Sequence, residues 1–268
     1  YHIPPVVSSG ALVDLHGVEY LDFTKPYWLA SLLEDSEVNG RIYFAAGDAS
    51  LSLLKNTMCM IFNKELAAQL IDGDIQQVAF DGKWTKELLK QYAVAAYQGV
   101  DPSNPNIETD TFGFGIQNYN HLSAFGPAFG IRILTRNNDG SYSFGYTEST
   151  VADKVAWLCD LFHGNPGFVT GNNNGTMDVP VSTSFKAGQM LFSTTTLDNM
   201  AGMYAEINGD YSILPYPKWD EEQEGYYTFA RNIYRSFGVT RTTPNASMAG
   251  AVLECIASES AQRITPAF

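Results

Sequence analysis

The chain has 268 residues, 45% of them hydrophobic, with 29 acidic against 16 basic residues and a formal net charge of −13 at pH 7. That length supports a sizeable core in one large domain or in two lobes. The acidic surface disfavours a nucleic-acid partner and adsorption to anionic lipid, and no stretch reaches the length of a transmembrane helix.

Residues 1–36 read as loop-rich, with prolines at 4, 5 and 26. GRIYFAA (40–46) has the aromatic and β-branched content of a strand, broken by Gly47-Asp48. TMCMIF (57–62) is a continuous apolar run of strand length, suited to burial on both faces, and Asn63 is placed to cap the helix that NKELAAQL begins. A turn at Asp81–Trp84 leads to Thr85, which caps a helix with Leu88, Leu89, Tyr92 and Ala96 on one face.

A polar loop spans 101–111. The NNDG tetrapeptide between 131–136 and 141–146 predicts a hairpin. Thr150–Asp153 has the form of a capping box for a helix carrying Val151, Val155, Leu158 and Phe162 on its apolar face and ending at Gly164. Residues 165–184 read as a Gly/Asn-rich loop, FKAGQMLF (185–192) as a strand after a glycine, and ILPYP as a strand that must stop at its prolines. The acidic run Asp220-Glu221-Glu222 reads as a solvated turn, and SMAGAVLECIASESAQR (247–263) as a helix. Alternating strands and helices with one inserted hairpin indicate an α/β protein with a mostly parallel sheet.

Cys59, Cys159 and Cys255 each sit in an apolar run, and an odd count without CxxC spacing speaks against disulfides or a zinc site. The histidines are scattered, GFGIQN (113–118) lacks the GxGxxG spacing, and no HExxH, GxSxG or EF-hand loop occurs. A glycosidase-type carboxylate pair is left open, because Asp and Glu are plentiful. Aromatics make up 13% of the chain, which suits a core and equally a carbohydrate cleft, where sugar C–H faces stack on aromatic planes.

Seven strings in order resemble the extracellular solute-binding proteins of bacterial ABC importers, in particular the sugar-binding family 1: LDFTKPYW, GRIYFAAGD, IFNKELA, DGKWT, FKAGQMLF, ILPYPKWDEEQEGYYT and VLECIASES. The resemblance implies a bilobal periplasmic-binding-protein-like fold of type II. Two α/β lobes are joined by a hinge, and the first lobe is incomplete because its opening βαβ units and closing helices have no counterpart. The expected division is 1–56 with 229–268 for the first lobe and 57–228 for the second. The implied role is a carbohydrate receptor, most simply for an oligosaccharide, with no cofactor and no catalysis. It would be a monomer that hands its ligand to ABC permease subunits, held outside the cell by an N-terminal lipid anchor that this stretch does not contain. A carbohydrate-active enzyme, a polysaccharide-binding module and an importer receptor for a peptide, polyamine or metal remain as alternatives.

Candidate ligand residues follow from polarity and position. Asp48 and Ser50 lie in the turn after GRIYFAA, where strand ends face a ligand crevice, although an Asx turn or helix cap explains them equally. Asn118, Tyr119 and His121 (with Asn120) combine amide, imidazole and aromatic groups suited to a neutral polyol, against a helix-capping role. Trp28 is either an exposed stacking platform or a packed core indole. In FARNIYRSFGV, strand alternation sets Asn232 and Tyr234 on one face and Arg231 on the other, in a segment that would run back through the hinge.

Overall fold

A computed structural model describes residues 3–137, 139–147, 149–171, 179–202, 207 and 209–267. In chain order these form α1 (Ile3–Ser8), α2 (Ala30–Asp35), α3 (Leu51–Lys55), β1 (Met58–Asn63), α4 (Lys64–Leu70), α5 (Ile75–Phe80) and α6 (Lys86–Ala96). There follow β2 (Phe112–Ile116), α7 (Tyr119–Ser123), α8 (Phe125–Ala128), β3 (Leu134–Arg136), β4 (Tyr142–Phe144), α9 (Ser149–His163) and β5 (Phe168–Thr170). The chain closes with α10 (Val179–Lys186), β6 (Met190–Thr196), α11 (Leu197–Ala201), β7 (Tyr211–Leu214) and α12 (Ala246–Arg263). It divides into two compact units, Thr57–Ala230 and the discontinuous Tyr1–Asn56 with Arg231–Phe268.

Unit Thr57–Ala230 is built on a five-stranded sheet of order β5-β2-β6-β1-β7. β2 is parallel to β5 and β6, whereas β1 is antiparallel to both β6 and β7. Four strands therefore share one direction and β1 alone runs against them, which refines the expectation of a mostly parallel sheet. β1 lies between two neighbours, with Met60 opposite both Thr194 and Leu214. Helices cover its faces, so Met58–Phe62 are all buried, as the unbroken apolar run required.

Helix starts follow local chemistry. Asn63 Oδ1 accepts from Leu66 N at 3.0 Å and caps α4. Thr85 stands at the cap of α6 but makes no side-chain capping bond. Its backbone is engaged in a bridge to Lys218 instead. α9 begins at Ser149, so Thr150 lies inside the helix rather than at its cap, and residue 148 is outside the described residues. Val151, Leu158 and Phe162 of α9 face inward as expected, whereas Val155 is 48% exposed and Leu161 joins the fully buried residues.

Two elements depart from the loop expected over 165–184. Residues 172–178 lie outside the described residues, but β5 pairs with β2, and α10 buries Val181 and Phe185. β2 itself carries no strand signature, because Gly113 and Gly115 alternate with its apolar residues. The packing explains Gly113: a Cβ there would fall 1.8 Å from Ala93 O, so α6 can lie on β2 only where a side chain is missing.

The hairpin forms as expected, with Leu134 opposite Phe144 and Arg136 opposite Tyr142. Asn137 N donates to Ser141 O at 2.8 Å, and Asn138 lies outside the described residues. The central core joins Trp84, Phe114, Phe125, Phe192 and Leu214. Each such side chain contributes about 1.5–3 kcal/mol on burial. The indole of Trp84 is satisfied by donation to Pro215 O at 3.0 Å.

The discontinuous unit corresponds to the pieces expected of an incomplete first lobe. Among its described residues it has helices and isolated bridges but no sheet strand. GRIYFAA makes single bridges only, at Arg41 to Val38 and at Ala45 to Phe237. Residues 1–36 are not simply loop, since α1 and α2 form there. The prolines of α1 stand in its first turn, where no helical N–H is needed. FARNIYRSFGV is likewise not a regular strand. Asn232 is exposed and Tyr234 half-buried, so the expected shared face is not formed. A separate core gathers Leu15, Val18, Trp28, Leu33, Ile42, Val239 and Ala257.

Candidate functional site

The shared strand direction gives the sheet of unit Thr57–Ala230 one edge at which β2, β5, β6 and β7 all end and β1 begins. Open α/β sheets bind ligands at that carboxyl edge. Two strand ends there run directly into helix caps. Asn118, just past β2, accepts from Asn120 N at 3.0 Å to start α7, and Thr196 accepts from Asn199 N at 3.4 Å to start α11.

α7 separates the predicted residues by its turn. Tyr119 is 52% exposed and Asn118 is partly exposed beside it. His121 is 3% exposed and faces inward, its Nδ1 2.9 Å from Thr194 Oγ1. Its carbonyl accepts from the Tyr216 hydroxyl at 3.0 Å. Burial pushes the Tyr216 phenol well above its ordinary value, so it stays a neutral donor. His121 therefore fastens α7 to β6, and Asn118 and Tyr119 are the members of the trio available at the surface.

A cavity of about 380 Å³ adjoins them, lined by Ile116, Asn118, Tyr119, Leu122, Val155, Leu158, Cys159, Phe162, His163, Thr170 and Gly171. It lies at the ends of the parallel pair β2 and β5, roofed by α7 and α9. Most of this lining is not legible as a site in the sequence. Leu158 and Phe162 are spaced as a core face, and what sets them at a cavity is the position of α9 against β5.

In the discontinuous unit, Trp28, Asp48 and Ser50 come together. Trp28 bridges Gly47, and Asp48 N donates to Tyr27 O at 3.0 Å. Trp28 is 3% exposed, which corrects the stacking-platform reading: the indole is core. Asp48 Oδ1 accepts from Thr265 Oγ1 at 2.8 Å. Ser50 precedes α3, is 2% exposed, and its Oγ has no hydrogen-bond partner among the described residues. Arg231 N donates to Asn56 O at 3.0 Å and Arg235 N to Ser52 Oγ at 2.9 Å, which lays the segment of Arg231, Asn232 and Tyr234 along α3. Burial raises the Tyr234 phenol. Among the described residues no group of three or more His, Cys, Asp or Glu is placed to hold a metal ion.

No protein-family model and no curated protein sequence matches the chain. Solved structures do. The chain is similar to the ABC substrate-binding protein Lmo0181 from Listeria monocytogenes in complex with cycloalternan, with a TM-score of 0.58, 13% identity, and coverage of 95% of this chain and 59% of that one. It is similar to a cyclo/maltodextrin-binding protein complexed with maltotetraose, with a TM-score of 0.59, 14% identity, and coverage of 97% and 60%. The fold is that of the ABC-transporter solute-binding proteins. A family 1 extracellular solute-binding protein from Bifidobacterium longum subsp. infantis shares it too, with a TM-score of 0.55, 11% identity, and coverage of 97% and 60%. The chain thus spans about 60% of the length of these solute-binding relatives. No helix of the described residues is long and apolar enough to cross a membrane.

Proposed function

We propose that the chain belongs to the solute-binding component of an ABC importer and holds a carbohydrate, most simply an oligosaccharide, that it passes unchanged to permease subunits outside the cell. The solute-binding-protein fold over 95% or more of the chain carries this reading, together with the carbohydrates named with two of its structural relatives. The two units are read as the two lobes. Asn118 and Tyr119 at the carboxyl edge are the ligand contacts in Thr57–Ala230, with one amide and one aromatic face for a neutral polyol. In the other unit the candidates are Asp48, Ser50, Arg231, Asn232 and Tyr234. A monomeric receptor tethered by a lipid anchor completes the reading.

The test is a thermal-shift screen of the chain against mono- and oligosaccharides, peptides and polyamines, with the ligands recovered and analysed afterwards. A ligand at a hundred times its Kd adds about 2.7 kcal/mol of stability. A shift with one saccharide class, recovered intact, supports the proposal. Release of reducing ends would make the protein an enzyme, and a shift with a peptide or polyamine alone would replace the cargo.

A further inference from the structure

We infer that the cavity between α7, α9 and β5, about 380 Å³ in volume, binds an uncharged apolar ring or short alkyl group carried by a small molecule. Its walls are Leu122, Val155, Leu158 and Phe162 over Ile116. Val155 and Leu122 remain 48% and 36% exposed, apolar surface that a ligand would remove from water.

Charge decides the chemistry. The chain carries a net −13, yet among the described residues no Lys, Arg, Asp or Glu lines this cavity. Two charged side chains of the neighbouring stretch of α9, Lys154 and Asp160, are engaged elsewhere. Lys154 Nζ donates to Phe129 O at 2.7 Å, and Asp160 pairs with Lys90 at 2.7 Å. A charged ligand group would lose hydration here with no counter-ion to replace it. A bare polyol would find few hydrogen-bonding partners along the walls. The polar lining is limited to Asn118, Tyr119, His163 and Thr170. An apolar body with a polar end matches that lining, and the volume lies within the range of about 300–1,000 Å³ usual for small-molecule pockets. The inference stands independently of the carbohydrate reading, because an aryl glycoside meets both and toluene meets only this one.

Cys159 supplies the readout. It lines the cavity and is exposed, as is Cys255 on α12, whereas Cys59 is buried. Iodoacetamide labelling of the chain, followed at each cysteine by peptide mass spectrometry, is run with phenyl glucoside, methyl glucoside and toluene. At ten times Kd about one site in eleven is open, so phenyl glucoside and toluene should slow Cys159 about tenfold and leave Cys255 unchanged, with no effect of methyl glucoside. Val155→Asp, at a half-exposed position, should abolish protection by toluene with circular dichroism unchanged. Equal protection by methyl and phenyl glucoside would overturn the inference, as would unslowed Cys159 with both toluene and phenyl glucoside at their solubility limits. If toluene protects Cys159 and no saccharide or glycoside stabilises the chain, the inference holds and the carbohydrate reading falls.

Discussion

The indole Nε1 of Trp28 donates to Oε2 of Glu254 at 3.1 Å, which ties the segment around Pro26 to α12. The same carboxylate accepts from the Tyr27 hydroxyl and, at 3.2 Å, from Asp22 N. One side chain thus satisfies three donors from a stretch without regular structure. Glu254→Ala should leave the buried indole N–H unpaired and lower stability by about 3 kcal/mol, read by urea denaturation. Glu254→Gln keeps an acceptor and should cost less. Equal losses in the two variants would count against a hydrogen-bonding role.

Burial, and then Glu254, pushes the Tyr27 phenol from 10.0 up to about 12. The folded protein holds that proton more tightly than the unfolded chain. The contribution is therefore whole below pH 10.0 and is lost as pH rises toward about 12. The stability difference between the chain and Tyr27→Phe should shrink across that window. A difference that stays constant with pH would refute the coupling.

Gly113 is where α6 reaches β2. Gly113→Ala would set a Cβ 1.8 Å from Ala93 O and force backbone apart. The expected loss is about 1–3 kcal/mol, as for overpacking of a tight interior. Gly126→Ala, where nothing lies within 4 Å of the added Cβ, is the control and should be close to neutral. Similar melting temperatures for the two variants would contradict the packing.

Cysteine reactivity follows burial. The Cys59 thiol is pushed up to about 12 by burial on β1, so its thiolate is scarce near neutral pH. Iodoacetamide should modify Cys159 and Cys255 readily and Cys59 only after denaturation. Modification of Cys59 in the folded chain at a comparable rate would show that β1 opens.

Tyr119 and His121 sit two residues apart and should behave oppositely. Tyr119→Ala removes an exposed ring, so it should weaken saccharide binding about tenfold, the loss of one stacking contact, with little change in melting temperature. His121→Ala removes the buried partner of Thr194 and should cost about 1–3 kcal/mol of stability. Titration calorimetry and thermal unfolding separate the two effects.

How much could be read without a structure depended on whether the signal was local. TMCMIF, the Asn63 cap, the NNDG hairpin and the long α12 were legible, because an apolar run, a capping amide and a turn tetrapeptide act within a few residues. β2 was not, because Gly113 and Gly115 weaken strand propensity and are explained only by neighbours distant in sequence. GRIYFAA misled for the converse reason: its composition suits a strand, but a strand needs neighbours, and here it finds single bridges.

The candidate site divides along the same line. From the sequence alone came the acidic character, a set of ordered strings that resemble those of solute-binding proteins, and the polar-aromatic cluster at 118–121. Tertiary structure decided which of these residues a ligand can touch. It buried Trp28 and His121, left Tyr119 exposed, and brought α9 beside β5 to shape a cavity. A sequence records which groups are present and their local conformational preferences. Exposure depends on which residues far along the chain come to lie against them, and only packing settles that.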